Sequence, residues 1–486
     1  MRAIFLGGYS HNVELLEPFS NATDAFLILE KRDYDSSKIE LQKLVSSGRT
    51  LLAEPSDKKN HQDFFPNIRP SETNFEMPEL EVIDEIRNSI LNDFCLPLLT
   101  SRFDYQMNMS PFRSFCTTND LIDHAIETQS RYKFKEIYAA YLPHTLVSHI
   151  FFRTLEITGA KVYRLTSSEI PWIFLPVKGL IESTLKYSKQ MQKTDGTDIA
   201  KFIEHQNKTY DEAIPYYEKK AVNELASLRK AFAMIVSPKQ TVRFLNNYFG
   251  RQRYERMAVN EIGEPRYAVF FLHFQPEANT LPGAGFLIDQ FQAIKKLRLL
   301  MPNNVTLFVR EHPSTFTKRK SVIFRPKGFY KRIVGIENVS LISTTISAFD
   351  LIDNAKFVAS LSGNVLTEAL TRKKPIVKFL QTKFANSRSS AICDWEAKDS
   401  KQIKQVIRQY CEDGFIFPFE EVVASLQDTE ANGYSGSHYD DGIKVIWPKD
   451  EKTQRKLSIT AHKTALIEFL DNRMQEKFSF DTSAKN

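Results

Sequence analysis

Three short stretches of the chain place chemistry-bearing side chains directly after apolar runs. In the first, Val269–Leu272 stops at His273, and Gln275, Glu277 and Asn279 follow before Pro282, Gly283 and Gly285. In the second, an apolar run gives way to Arg310, Glu311, His312 and Pro313. In the third, "SLSGNVLTEAL" sets Ser360, Ser362, Gly363 and Asn364 before a helical pattern, with Glu368 one turn in. A histidine can donate to a phosphate or a base, and an arginine neutralises anionic charge. The first N–H groups of a helix, with serine hydroxyls beside them, form an anion site. Glu311 is placed to orient a ligand or His312, and Glu368 to accept from ribose hydroxyls. Each stretch also has a plain structural reading. His273 can be bonded within a core, Arg310 and Glu311 can be a surface charge pair, and the serines with Glu368 can be a helix cap. The occurrence of all three at strand ends favours one shared site for a phosphate donor.

Other candidates stand further from this pattern. Asp104 in "SRFDYQ" lies beside Arg102, and His144 closes "YLPHT". With Glu277 they are the groups able to act as base or nucleophile, and the sequence does not choose among them. "KRKSVIFRPKGFYKR" (318–332) carries seven Lys/Arg and no acid, which suits an anionic lipid, an anionic glycan, a donor phosphate or a solvated loop alike. "DYD" (33–35) has a spacing that can hold a metal–nucleotide, but it is common by chance, and no metal site is expected.

These residues need elements to carry them. From 267 onward strands and helices alternate: strands at 267–272, 305–309, 339–343, 356–361 and 375–380, with helices at 286–301, 346–355 and 365–373. Such alternation predicts a doubly wound parallel sheet, in which ligands bind beyond the carboxyl ends of the strands. The first half shows a similar rhythm, with strands at 3–6, 25–30, 136–142 and 160–165 and helices at 79–99 and 145–158. The expected division is an N-terminal Rossmann-like domain over 1–255 with a helical insertion at about 181–250, a C-terminal Rossmann-like domain over 256–450 for the nucleotide-sugar, and a helix in 451–486 packing back on the first domain.

The chain has 486 residues, 42% hydrophobic and 26% charged, with a net charge of +6. That length predicts more than one core. The charge balance gives no ground for nucleic acid as a partner. Cys95, Cys116, Cys393 and Cys411 lack metal-ligand or disulfide-framework spacing, which fits a reducing, cytoplasmic setting. No apolar run approaches the ~20 residues of a membrane span, and the first residues do not read as a signal peptide. Any membrane contact is expected to be peripheral, at the inner face.

"FFLHFQPEANTLPGAGF", "REHPS", "RPKGFY" and "SLSGNVLTEALTRKKPIVKF" together resemble the carboxyl half of bacterial capsule and surface-polysaccharide glycosyltransferases, most of all the capsule-type Kdo transferases that use CMP-Kdo. The resemblance covers 267–380. It implies a GT-B architecture, two Rossmann-like domains facing a central cleft, with no obligatory metal and no cofactor. It implies transfer of Kdo or another CMP-activated nonulosonic-type sugar to a glycan or lipid-linked glycan acceptor in capsule or lipopolysaccharide synthesis. By the same resemblance His312 binds the nucleotide or its phosphate, Ser362 and Gly363 hold the phosphate, Glu368 the ribose, and Gln275 and Glu277 face the sugar. Arg310, where a lysine is usual, and Asn364 after "SG" depart from the pattern. The competing readings are a sugar-nucleotide epimerase, a polyol-phosphate polymerase, and a non-catalytic glycan-assembly subunit.

Overall fold

A computed structural model describes residues 2–5, 25–29, 50–52, 78–93, 95–100, 111–139, 146–170, 173–179, 197–206, 238–263, 266–275, 280–281, 283–316, 325–380, 384 and 387–435. The chain forms two units, 1–194 with 429–486, and 195–428. Each is an α/β unit built on a seven-stranded sheet.

The first unit contains β1 (Arg2–Phe5), β2 (Ala25–Leu29), β3 (Thr50–Leu52), α1 (Leu80–Leu91), α2 (Pro111–Tyr132), β4 (Glu136–Ala139), α3 (Leu146–Ile157), β5 (Lys161–Ser167) and β6 (Ile173–Lys178). β1 pairs in parallel with β2 and β4, β2 with β3, and β4 with β5. β6 runs antiparallel to β5, and the late strand Tyr434–Ser435 runs antiparallel to β6. α2 contributes Leu121, Ile122, Ala125 and Ile126, and α3 contributes Ile150, Phe151, Phe152 and Leu155, all buried. Their spacing is that of a helix laying one face on a sheet. The 22-residue α2 is an element that the sequence reading left unassigned.

The second unit holds α4 (Thr197–Gln206), α5 (Pro238–Glu255), β7 (Ala258–Val259), β8 (Tyr267–Phe271), α6 (Gln290–Leu300), β9 (Thr306–Arg310), α7 (Phe329–Val334), β10 (Val339–Ile342), α8 (Ala348–Asn354), β11 (Val358–Ser360), α9 (Asn364–Thr371), β12 (Ile376–Lys378), β13 (Ile392–Asp394), α10 (Ser400–Cys411) and most of α11 (Phe419–Asn432). Its sheet is parallel throughout, in the order β13-β12-β11-β8-β9-β10-β7. Every residue of β8 is buried, as expected of a central parallel strand covered on both faces. α10 opens on a capping box between Asp399 and Gln402 and buries Ile403, Ile407, Tyr410 and Cys411, which is helical spacing.

The doubly wound parallel sheet expected for the second half is therefore present, with strand ends shifted by a residue or two. Two features differ from expectation. The helix expected at 286–301 begins as a short 3-10 turn over Gly285–Ile288 and becomes α-helical only at Gln290. The division between units falls at 194/195 rather than at 255. α5 belongs with the second unit because Tyr254, fully buried, sits in that unit's core and donates its hydroxyl to the Ile342 carbonyl at 2.6 Å.

Candidate functional site

β8 is flanked by β9 on one side and β11 on the other. The chain leaves β8 in one direction and later returns to its other edge, so the strand order reverses here. In open α/β sheets the crevice beyond such a reversal is where ligands bind. The three sequence stretches occupy this place: His273–Gln275 after β8, Glu311–Pro313 after β9, and Leu361–Gly363 after β11.

The first and third stretches touch. His273 Nε2 lies against the Ser362 carbonyl and 3.1 Å from the Ser362 N–H. Ser360 donates its hydroxyl to the Phe271 carbonyl at 2.9 Å, which ties the end of β11 to the end of β8. Gly363 then turns the chain into α9 with φ +115° and ψ 166°. That region is essentially closed to other residues. A Cβ there would also stand 3.1 Å from the His273 ring. Glycine is needed at 363 on both counts, and the turn brings the start of α9 to the strand ends.

The position of His273 is fixed from behind. Gln290, wholly buried, accepts from the His273 N–H at 2.7 Å and donates to its carbonyl at 3.1 Å. Gln290 is the first residue of α6.

The second stretch is organised by a buried ion pair. Glu311 is fully buried. Arg325 grips it with Nε to Oε2 at 2.7 Å and Nη2 to Oε1 at 2.8 Å. The carboxylate also accepts from the hydroxyls of Tyr330 at 2.7 Å and Thr315 at 3.1 Å, and from the His312 N–H at 2.7 Å. A buried charge is tolerated when paired and hydrogen-bonded in this way. Burial works against the Arg325 charge, but the Glu311 carboxylate outweighs it and holds the guanidinium above its ordinary pKa. Burial, reinforced by Glu311, raises the Tyr330 phenol well above its usual range. Arg325 also donates to the His273 carbonyl at 2.7 Å and to Gln275 Oε1 at 3.1 Å. One side chain thus joins the loops after β8 and β9.

His312 is half-buried. Its Nδ1 accepts from the Ser314 N–H at 3.1 Å. In the neutral ring that bond puts the proton on Nε2, so His312 is held as a donor. Its ring centroid lies 5.9 Å from that of Phe274.

The expected site residues therefore divide. His273, Ser360, Ser362, Gly363 and His312 sit at the strand ends around the switch point. Arg310 and Glu311 stand at the end of β9, and their side chains are engaged by the protein itself. Arg310 donates to the carbonyls of Thr344 at 3.1 Å and Ile346 at 3.0 Å. Gln275 is 7% exposed and bridges Arg325 to the Ile288 carbonyl. Asn364 is exposed at the first position of α9, and Glu368 is half-buried one turn on, in the acidic surroundings of Arg372 with Asp353 and Asp350. Glu277, Asp104 and His144 lie outside the described residues, as do Asp33 and Asp35. Among the described residues no cluster of His, Cys, Asp or Glu is arranged to hold a metal ion.

Arg325, Tyr330, Gln290 and Tyr254 were not singled out by sequence reasoning. Arg325 stood in a run read by its summed charge. The available signal was the apolar triplet Val322–Phe324, which separates it from the lysines before it.

No family model matches the chain, and no curated protein does. Solved structures do match. Over 88% of this chain and 100% of that one, it is similar to the UDP-GlcNAc 2-epimerase of Methanocaldococcus jannaschii, at 12% identity and TM-score 0.25. Over 63% of this chain and 90% of that one, it is similar to Thermosulfurimonas dismutans KpsC, a beta Kdo 2,7 transferase, at 12% identity and TM-score 0.27. Over 97% of this chain and 100% of that one, it is similar to a UDP-forming alpha,alpha-trehalose-phosphate synthase of Burkholderia vietnamiensis, at 8% identity and TM-score 0.31.

Proposed function

We propose that the chain is a GT-B type glycosyltransferase that moves a sugar from a nucleotide donor to a glycan or lipid-linked glycan acceptor at the cytoplasmic side of a bacterial membrane. The observation that carries this reading is the junction of His273, Ser362 and Gly363 at the switch point of a parallel sheet. There the start of α9 meets a histidine and serines. In glycosyl transfer an acceptor oxygen bonds to the anomeric carbon as the bond to the donor phosphate breaks, and the leaving group departs with the electron pair as an anion. The N–H groups at the start of α9 and the Nε2–H of His312 suit that developing charge. The acceptor hydroxyl must lose its proton to a base, for which Glu277, Asp104 and His144 are the candidates. No metal is required for this arrangement.

The donor is a CMP-activated sugar, Kdo or another nonulosonic-type acid. What supports this is the likeness of "REHPS" and "SLSGNVLTEAL" to the corresponding loops of CMP-sugar transferases. The test is nucleotide release from CMP-Kdo with and without a Kdo-terminated glycan. Release only when acceptor is present is expected. Release of free nucleotide without acceptor, together with an altered sugar, would replace transfer by epimerisation.

A further inference from the structure

α5 has two unlike faces. On one, Tyr254 is fully buried; its hydroxyl donates to the Ile342 carbonyl at 2.6 Å and accepts from the Glu311 N–H at 3.0 Å. On the other, Leu245, Tyr248 and Phe249 are 40%, 46% and 50% exposed. At about 100° per residue, Leu245, Phe249 and the exposed Arg253 fall within about 80° of arc, with Tyr254 about 140° from Phe249. The rings of Tyr248 and Phe249 meet edge to face, 5.6 Å apart. The cations beside this apolar face are Arg253 and the exposed Arg256, which follows the helix, whereas Arg251 falls about 60° from Tyr254. The helix's only acid, Glu255, is engaged by the Ser343 hydroxyl at 2.7 Å.

Exposed Leu245 and Phe249 beside exposed Arg253 and Arg256 suit a surface that is apolar and anionic at once. An apolar protein groove would cover Leu245 and Phe249 and leave the arginines without counter-charge. The headgroup boundary of a bilayer meets both demands, because rings enter the acyl edge while guanidinium groups hold phosphates. No helix among the described residues is long and apolar enough to cross a membrane, so this contact would lie on the surface.

We propose that the outer face of α5 docks the protein on a bilayer containing anionic phospholipid. Through Tyr254 the docked helix is one hydrogen bond from Glu311, next to His312, so docking sets the depth of that strand end relative to the membrane. The inference stands independently of the glycosyl-transfer reading.

The test is flotation of the full-length protein with phosphatidylcholine vesicles, with and without about one-third phosphatidylglycerol. The wild type should partition at least about tenfold more onto the anionic vesicles, and less as salt rises. A Leu245→Gln, Tyr248→Gln, Phe249→Gln triple variant should lose that binding about tenfold or more while its melting temperature holds. Leu299→Gln, which alters another exposed apolar side chain, should bind as wild type does. Absence of wild-type binding to anionic vesicles would overturn the proposal. So would undiminished binding by the folded triple variant. A wild-type dimer in light scattering that the triple substitution converts to monomer, with vesicle binding unchanged, would assign the face to a second copy of the chain instead.

Discussion

Glu311 shows how a charged residue at a strand end can serve a site without touching a ligand. Its carboxylate collects Arg325, Tyr330, Thr315 and the backbone of His312. The pair holds the loops after β8 and β9 in register. Removing one charge of a buried pair leaves the other unpaired, at a cost of about 3–5 kcal/mol. Glu311→Gln should therefore destabilise the second unit by about that amount in denaturant unfolding. A change below about 1 kcal/mol would mean that Arg325 finds another partner. Gly363 makes the opposite kind of contribution, by what it lacks. Gly363→Ala meets both a disallowed backbone conformation and the His273 ring at 3.1 Å. It should cost about 1–3 kcal/mol and weaken nucleotide binding. Wild-type stability and affinity in that variant would show that the turn relaxes freely.

At the scale of elements, the end of α1 and the start of α3 are joined by a pair outside the second unit. His149, fully buried, meets Asp93 at 2.9 Å. The Cys95 N–H donates to the same carboxylate at 2.9 Å. Burial alone would raise the Asp93 carboxyl. The hydrogen bond and charge of His149, the Cys95 N–H and the charge of Arg153 outweigh burial and hold it below its ordinary 3.8. A lowered folded-state value means that this carboxylate stabilises the fold fully above the unfolded value and loses that contribution as pH falls through the folded one. The melting temperature of the wild type should therefore fall more steeply with acidification below pH 3.8 than that of Asp93→Asn. Parallel acid limbs in the two proteins would remove Asp93 from the account.

Elements differ in how far the sequence discloses them. β8 through β12 were legible because each is a short, mainly apolar run bounded by polar residues, glycine or proline, and periodicity reads such runs directly. α2 was not, because its described buried apolar positions cluster in Leu121–Ile126, flanked by buried Thr118 and Thr128, while Phe112 and Phe115 near its start are exposed, which blurs the helical stripe. Glu311 and Arg325 are 14 residues apart. Local spacing cannot show that a basic run gives one member to a buried carboxylate. The membership of α5 was hidden for the same reason. The contacts of Tyr254 with Glu311 and Ile342 span 57 and 88 residues.

For the molecule as a whole, two doubly wound units give two sets of strand ends, and the second set gathers the groups suited to a phosphate. Strand order alone puts His273, His312 and Ser362 around one point. In His312 the Nδ1 accepts from the Ser314 N–H, which leaves the proton of the neutral ring on Nε2. The His312 backbone N–H bond to Glu311 does not involve the side chain, so alanine at 312 leaves that anchor in place. The decisive measurement is a calorimetric titration of wild type and His312→Ala with CMP, UDP and GDP, with a melting curve for each protein. The wild type should bind CMP more tightly than UDP or GDP. His312→Ala should bind CMP about tenfold or more weakly, the worth of a charge-assisted hydrogen bond, while remaining folded and losing only the Ser314 cap, about 1 kcal/mol. Failure of all three nucleotides to bind the wild type, or equal CMP affinity in the two proteins, would contradict a phosphate site at the switch point.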